Sequence, residues 1–327
     1  MTHLATGRAS SGGIATLQGR SMGTRWSAKL VPRRDHDLPA LRDAIQAQLD
    51  LVVAQMSTWD AQSDLSRYNR ADAGTWHALP AALDTVLRCA LEVAQRSGGA
   101  FDPSIGAVVG LWGFGAEAGP QRVPDAVALQ RARAAGDWRR LRVDGAGRWP
   151  QPGGLRLDLS AIAKGYGVDL AVAALRAHGV ESALVEVGGD LYGYGRKPDG
   201  HAWRVLIEAT PEAQLPADAA PRALAVNGLA VATSGDRWHH FDQDGRRYGH
   251  LLDPRSGQPI AATLAAVTVA AADTMRADAW ATALGVLGAD AGLACAERES
   301  LAVRFVLRHG GGMQERRSSA FAALADA

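Results

Sequence analysis

Asp278 and Thr282 stand four residues apart in the run Arg276-Ala277-Asp278-Ala279-Trp280-Ala281-Thr282-Ala283-Leu284. On a helix, residues at that spacing share a face. A carboxylate and a hydroxyl would then sit side by side among small alanines. Hard cations such as Mg²⁺ take oxygen ligands from few carboxylates and draw the rest from carbonyls, water and substrate phosphates. The same spacing also suits Thr282 bonding back to the Asp278 carbonyl with the carboxylate in water. Both alternatives stay open on this segment alone.

A second concentration of chemistry runs from Arg156 to Asp190, RLDLSAIAKGYGVDLAVAALRAHGVESALVEVGGD. It reads as a short apolar strand ending in Asp158 and Ser160, then a helix from Ala163 to His178 stopped by Gly179. A second apolar run follows and ends in Gly188-Gly189-Asp190. A helix N-terminus supplies free N–H groups and a dipole that favours an anion. Lys164 lies in that first turn, and the chain has only two other lysines, Lys29 and Lys197. An ordinary strand–helix–strand unit with well-chosen turns fits the block equally well.

Three further segments carry reactive or stacking groups. In Tyr248-Gly249-His250-Leu251-Leu252-Asp253-Pro254-Arg255-Ser256-Gly257, a histidine precedes a turn, where it could move a proton near neutral pH or bond the turn backbone. The run Thr233-Ser234-Gly235-Asp236 places hydroxyls at a strand end, as a phosphate contact or a plain turn. Trp59, in Met56-Ser57-Thr58-Trp59, and Phe101, in Gly99-Ala100-Phe101-Asp102, offer faces for a planar ring, though core aromatics would look the same.

The elements that must hold these groups follow from periodicity. Residues 25–31 suit a strand. Asp37-Leu38-Pro39 opens a helix with Leu41, Ile45, Leu49, Val52 and Met56 on one face. A second helix spans about Ala81 to Ser97, with Leu83, Leu87, Leu91 and Ala94 inward and Gly98 as its stop. A third spans Pro124 to Ala135, and the polar stretch Arg140–Pro152 suits a connection. Beyond Trp203 strands dominate. Leu224-Ala225-Val226 and Leu229-Ala230-Val231 flank Asn227-Gly228, a strong hairpin signal. Asp244-Gly245 marks another turn. Leu264–Ala270 suits a strand, Asp273–Leu284 a helix and Leu301–Leu307 a last strand. Hairpins mixed with helices predict an α+β fold rather than a doubly wound parallel sheet.

Composition narrows the classes. The 327 residues, 47% hydrophobic, can bury a large core in one domain or two closely packed lobes. A net charge of +1 gives no reason to expect nucleic acid or an anionic membrane as partner. Cys89 and Cys295 sit in apolar runs and predict buried thiols. No run reaches the length of a membrane span, and residues 1–20 lack a signal-peptide core or a cysteine for a lipid. The expectation for the chain as written is cytoplasmic.

Taken in order, Met22-Gly23-Thr24, Ser57-Thr58-Trp59 to Asn69, Gly99-Ala100-Phe101-Asp102 with Leu111-Trp112-Gly113-Phe114-Gly115, and Asp158-Leu159-Ser160 with Lys164-Gly165-Tyr166 resemble the ApbE family, the FAD:protein FMN transferases. So do Val187-Gly188-Gly189-Asp190, Thr233-Ser234-Gly235-Asp236, His250-Leu251-Leu252-Asp253-Pro254 and Ala277-Asp278 with Thr282. The resemblance spans roughly residues 20–308. It implies an ApbE-like, T-fold-like α+β architecture of antiparallel and mixed sheets flanked by helices. The expected organisation is a lead-in over 1–20, a transferase domain over 21–308 and a tail over 309–327.

It also implies a reaction. FAD is held with Mg²⁺ on its diphosphate, a Thr or Ser hydroxyl of a target protein attacks the FMN-side phosphorus, and AMP leaves. Positioning and charge neutralisation would supply most of the catalysis. By motif, Asp278 and Thr282 match metal ligands, with the backbone carbonyls of Ala161 and Ala281. Met22, Trp59, Ala100, Phe101, Asp102, Asp158, Lys164 and Leu252 match positions that hold FAD. His250 is the candidate for assisting proton removal, with Asp253 orienting its turn. Three departures stand out: many members are exported, periplasmic lipoproteins while residues 1–20 show no such signal, Leu251-Leu252 replaces a common Ile-Ile, and Ala161 stands where some members carry Thr. Two alternatives use the same pocket: an FAD pyrophosphatase, and a flavin-storage protein that releases no AMP.

Overall fold

The computed structural model describes residues 13–116, 119–207, 222–235, 240–310 and 312–325. Along Thr24–Leu30, Trp26, Ala28 and Leu30 are buried while Arg25 and Lys29 are exposed. That alternation is the mark of a strand with one covered face. Seven more strands join it. The set is β1 (Ala15–Ser21), β2 (Thr24–Leu30), β3 (Ala183–Val187), β4 (Asp190–Tyr194), β5 (Leu229–Gly235), β6 (Leu264–Ala271), β7 (Ala302–His309) and β8 (Gly312–Arg317). Their order in the sheet is their order in the chain, and each pairs antiparallel with the next.

Four long helices accompany the sheet: α1 (Leu38–Met56), α2 (Ala81–Arg96), α3 (Ala163–Ala177) and α4 (Thr274–Arg298). Asp37 caps α1 by accepting the Ala40 N–H at 3.2 Å. Leu41, Ile45, Leu49, Val52 and Met56 all lie buried, as their spacing predicts. Helix α3 packs against both α1 and α4. Gly165 permits the close crossing with α4, because a Cβ there would lie 2.3 Å from the Thr274 carbonyl oxygen. Asp169 of α3 then accepts the Thr274 and Met275 N–H groups at 2.8 and 2.9 Å, capping the start of α4 from outside.

The opposite face of the sheet carries the hairpin Trp203–Ile207/Arg222–Val226 and the helix Ser319–Ala325, whose Phe321 is fully buried there. A smaller apolar cluster joins the helices Gly106–Leu111 and Ala126–Ala135 to the hairpin His240–Gln243/Arg246–Gly249. Asp244 and Gly245 turn that hairpin with φ of 53° and 72°. Both cysteines are buried thiols, as expected.

Several expectations need correcting. Residues 15–20, assigned to a lead-in, belong to edge strand β1; only Leu17 of that strand is buried, so it shows no apolar alternation. The tail over 309–327 holds all of β8 and a helix; half of β8 is charged, and among its six residues only Met313 is buried. No strand ends at Asp158: Arg156 makes a single parallel bridge to Ile105. Within the connection 140–152, Arg148–Pro150 pairs with Trp76–Ala78. Asn227-Gly228 is a turn, but its flanking strands do not pair with each other. Residues 222–226 pair with 203–207, while β5 enters the main sheet between β4 and β6. The turn is instead tied to β4: the Gly228 N–H donates to Gly193 O at 2.7 Å, and Asn227 Oδ1 accepts the Gly195 N–H at 2.9 Å.

Helix α4 runs past Leu284 to Arg298, with a non-helical residue at Gly288 (φ 74°). It is long and apolar enough to cross a membrane by length and composition, contrary to the expectation that no run is. Its apolar residues instead pack in the core, among them Trp280, Leu284 and Cys295.

Candidate active site

Helix α3 begins its backbone ladder when the Tyr166 N–H donates to Ile162 O at 3.2 Å. Gly165, one residue earlier, therefore has a free amide by construction. Asp278 of α4 fills that position: its Oδ2 accepts the Gly165 N–H at 3.1 Å. Lys164 Nζ donates to the same oxygen at 3.5 Å and makes a shorter bond to Asp190 Oδ2. The anion expected at this helix start is thus the protein's own carboxylate, 113 residues along the chain.

Both carboxylates are buried, with side-chain exposures of 2% for Asp190 and 5% for Asp278, whereas Lys164 keeps 33%. Lys164 is therefore the member of the trio that reaches an opening. Burial works against its ammonium, but Asp190 and Asp278 outweigh burial and hold its pKa above the usual lysine range. Burial and the charge of Asp278 push the Asp190 carboxyl upward, and Lys164 offsets only part of that.

Thr282 follows Asp278 by one turn of α4, and its Oγ1 lies 3.2 Å from Ser234 Oγ at the end of β5. The side chains that meet at this junction offer oxygen: the buried Asp278 carboxylate and the Thr282 and Ser234 hydroxyls, while the Ala161 carbonyl lies just upstream of the bond that opens the α3 ladder. Ala281 lies inside α4, so its carbonyl serves the helix and offers only its second lone pair. Among the described residues no group of three or more His, Cys, Asp or Glu is arranged for a metal. One carboxylate with a hydroxyl and carbonyls fits Mg²⁺ better than a soft ion.

A cavity of about 300 Å³ adjoins the approach to α3. Thr58, Ser66, Asn69, Gly110, Arg156 and Asp158 are among its lining residues. Asn69 pins one wall: its Nδ2 donates to Leu157 O at 2.9 Å and its Oδ1 accepts the Leu157 N–H at 2.8 Å. Asp158 Oδ1 accepts the Ser160 N–H at 2.9 Å and so turns the chain toward Ala161. Beside Thr58 lies Trp59, whose residue is 75% exposed. Its loop is nonetheless fixed, because Ser57 O accepts both Ser63 Oγ (2.6 Å) and Ser66 Oγ (3.1 Å). The indole thus stands open on an ordered support.

The other predicted positions fall in three places. Met22 turns the β1–β2 hairpin with φ 49°, and a Cβ at Gly167 of α3 would lie 2.6 Å from its Cε. Ala100 and Phe101 are buried at 1% and 3% exposure. Asp102 anchors the following turn by accepting Ser104 N–H (2.8 Å) and Oγ (2.6 Å), while burial raises its carboxyl pKa. Leu252 is buried in the smaller cluster, and His250 sits half-buried beside Phe114, ring centroids 6.3 Å apart. Asp253 accepts Arg255 Nε and Nη2, each at 2.9 Å, and so holds the turn after the histidine. Asp236 lies outside the described residues.

Asp190 and Asp169 join the site or brace it, and neither was singled out for a role from sequence; Ser234, read as a phosphate contact or a turn residue, lies against Thr282. Asp190 was visible as the end of Val187-Gly188-Gly189-Asp190, where a carboxylate after two glycines passes for a turn residue.

The chain is also similar to known proteins over most of its length. The model of the ApbE family matches residues 22–305. The FAD:protein FMN transferase of Vibrio cholerae is 36% identical over 306 residues, covering 93% of this chain and 91% of its own. Its counterpart in Escherichia coli K12 is 32% identical over 302 residues, covering 91% and 85%. Among solved structures, the apo flavinyl transferase ApbE of Pseudomonas stutzeri superposes with a TM-score of 0.89 at 40% identity, covering 96% of this chain and 98% of that one.

Proposed function

The chain belongs to the ApbE family, and from that premise we propose that it transfers FMN from FAD to a Thr or Ser hydroxyl of a target protein, with Mg²⁺ bound at Asp278 and Thr282. One observation carries the metal assignment: Asp278, Lys164 and the Gly165 N–H converge at the start of α3, one turn of α4 from Thr282. A bound Mg²⁺ would neutralise diphosphate charge and act as a Lewis acid on a phosphoryl oxygen. The ligands for it are the Asp278 carboxylate, the Thr282 hydroxyl and the Ala161 carbonyl, with the second lone pair of Ala281.

Each remaining residue has a task suited to its place. Lys164, cationic and partly exposed, supplies positive charge to the FAD diphosphate. Trp59 offers a face for a planar ring beside the cavity that Asp158 lines. Met22, Ala100, Phe101, Asp102 and Leu252 shape the flavin and nucleotide walls. His250 takes the proton as the target oxygen bonds to the FMN-side phosphorus. The bond from that phosphorus to the oxygen bridging to AMP breaks, and that oxygen leaves as part of AMP. The products are a phosphoester-linked flavin and AMP.

The test is incubation with FAD, Mg²⁺ and a candidate acceptor protein. Flavin fluorescence that stays with the acceptor through denaturing electrophoresis, with one AMP released per flavin attached, is the expected result. FMN and AMP released without labelling of any acceptor would mean hydrolysis. FAD bound with no AMP under any condition would mean storage.

A further inference from the structure

Asp190 enters no step above, yet it is 1% exposed and makes the shorter of the two ion pairs of Lys164. Its position is built deliberately. Gly188 and Gly189, with φ of 57° and 98°, reverse the chain between β3 and β4, and Asp190 is the first residue after the reversal. Its carboxylate thereby gives the ammonium a second anionic partner, from β4 rather than from α4. Lys164 would otherwise have one carboxylate to pair with, Asp278, which is also the proposed anionic ligand of the metal. An ammonium seated fully on Asp278 would compete with a divalent ion for the same charge.

We infer that Asp190 is a positioning residue that draws Lys164 off Asp278 and so keeps the Asp278 carboxylate available to the metal. The inference rests on the metal assignment above. It explains why a buried carboxylate is placed against a lysine that already has an anionic partner. It also gives Lys164 a fixed place: held from behind by Asp190, its ammonium stays at the opening, where a diphosphate would arrive.

A double-mutant cycle tests this. Mn²⁺ affinity is measured by electron paramagnetic resonance for the full-length wild type, Asp190→Asn, Lys164→Gln and the double variant. Near-UV circular dichroism checks that each is folded. If Asp190 acts through Lys164, the Asp190→Asn loss of affinity is at least tenfold greater in wild type than in the Lys164→Gln background. Lys164→Gln alone binds Mn²⁺ more tightly than wild type. Equal losses in the two backgrounds would mean that Asp190 acts through its own field alone, and would overturn the inference while leaving the metal assignment standing. A wild type that binds no Mn²⁺ would overturn both. A Asp190→Asn variant that misfolds is replaced by Asp190→Glu, which keeps the charge but shifts the carboxylate; affinity unchanged from wild type in that variant would also overturn it.

Discussion

The Gly165 amide donates to Asp278 Oδ2 at 3.1 Å, across 113 residues of chain. One hydrogen bond therefore sets both the N-terminal cap of α3 and the orientation of the carboxylate on α4. Damage to that contact should reach stability and metal binding together.

Gly165→Ala separates two opposing effects. Alanine is favoured over glycine in a helix by about 1 kcal/mol. Here the added Cβ would lie 2.3 Å from the Thr274 carbonyl oxygen and 2.9 Å from Asp278 Cβ. Backbone cannot yield as a side-chain tip does, so overpacking wins, at about 1–3 kcal/mol net destabilisation. Urea denaturation checks the sign; an unchanged or higher midpoint would contradict the close crossing.

Thr282→Val keeps the shape of the side chain and removes its oxygen. Transfer is expected to fall by about two orders of magnitude, since a lost electrostatic contact to the reacting centre costs roughly 3 kcal/mol. Thr282→Ser should retain most activity. AMP release across a Mg²⁺ titration separates the two variants, and equal activity in both would remove Thr282 from the ligand set.

His250→Ala should leave FAD affinity within a few-fold of wild type and slow transfer by roughly 10²- to 10⁴-fold, the range for a lost acid–base group. Flavin fluorescence titration gives the first quantity and labelling kinetics the second. Full transfer activity would end the role proposed for this histidine.

Trp59→Ala tests the open indole. With 75% exposure its removal should change stability by no more than about 0.5 kcal/mol. FAD affinity should fall roughly two- to tenfold if the ring stacks on it. Unaltered FAD affinity would place the flavin elsewhere.

Asp169 gives a pH dependence. Burial raises its pKa from 3.8 to about 6, although the Thr274 and Met275 N–H bonds oppose the rise. Between those values the unfolded chain has lost its proton and the folded one keeps it, so stability from this group is full below pH 3.8 and is lost as pH rises through 6. The loss amounts to at most about 3 kcal/mol at 1.36 kcal/mol per pKa unit. Asp169→Asn cannot ionise, so the stability of wild type minus that of the variant should decline from pH 4 to pH 7 in denaturant titrations. A flat difference would show that the two pKa values coincide.

Local rules reached some of this structure and not the rest. The five apolar positions of α1 were legible because each faces the core at regular helical spacing. Asp278 and Thr282 were legible for the same reason, as one face of a helix. Asn227-Gly228 announced a turn correctly, but the partner of each adjoining strand is decided by surfaces far along the chain. Residues 222–226 cover Trp203 and Val205 on the back of the sheet, and β5 fills the sheet centre. Strands β1 and β8 escaped notice because edge strands bury little and charge is tolerated there. Asp190 escaped because its partner, Lys164, belongs to a different element.

The strands of the main sheet stand side by side in the order in which they occur along the chain. During synthesis each emerging strand thus finds its edge already laid down, and the framework can assemble from the N-terminus as it leaves the ribosome. The chemistry keeps a different schedule. Lys164 and Gly165 emerge more than a hundred residues before Asp278. Until α4 arrives, the start of α3 lacks the Asp278 carboxylate that caps it, and the nascent chain holds a platform without the proposed metal ligands of α4.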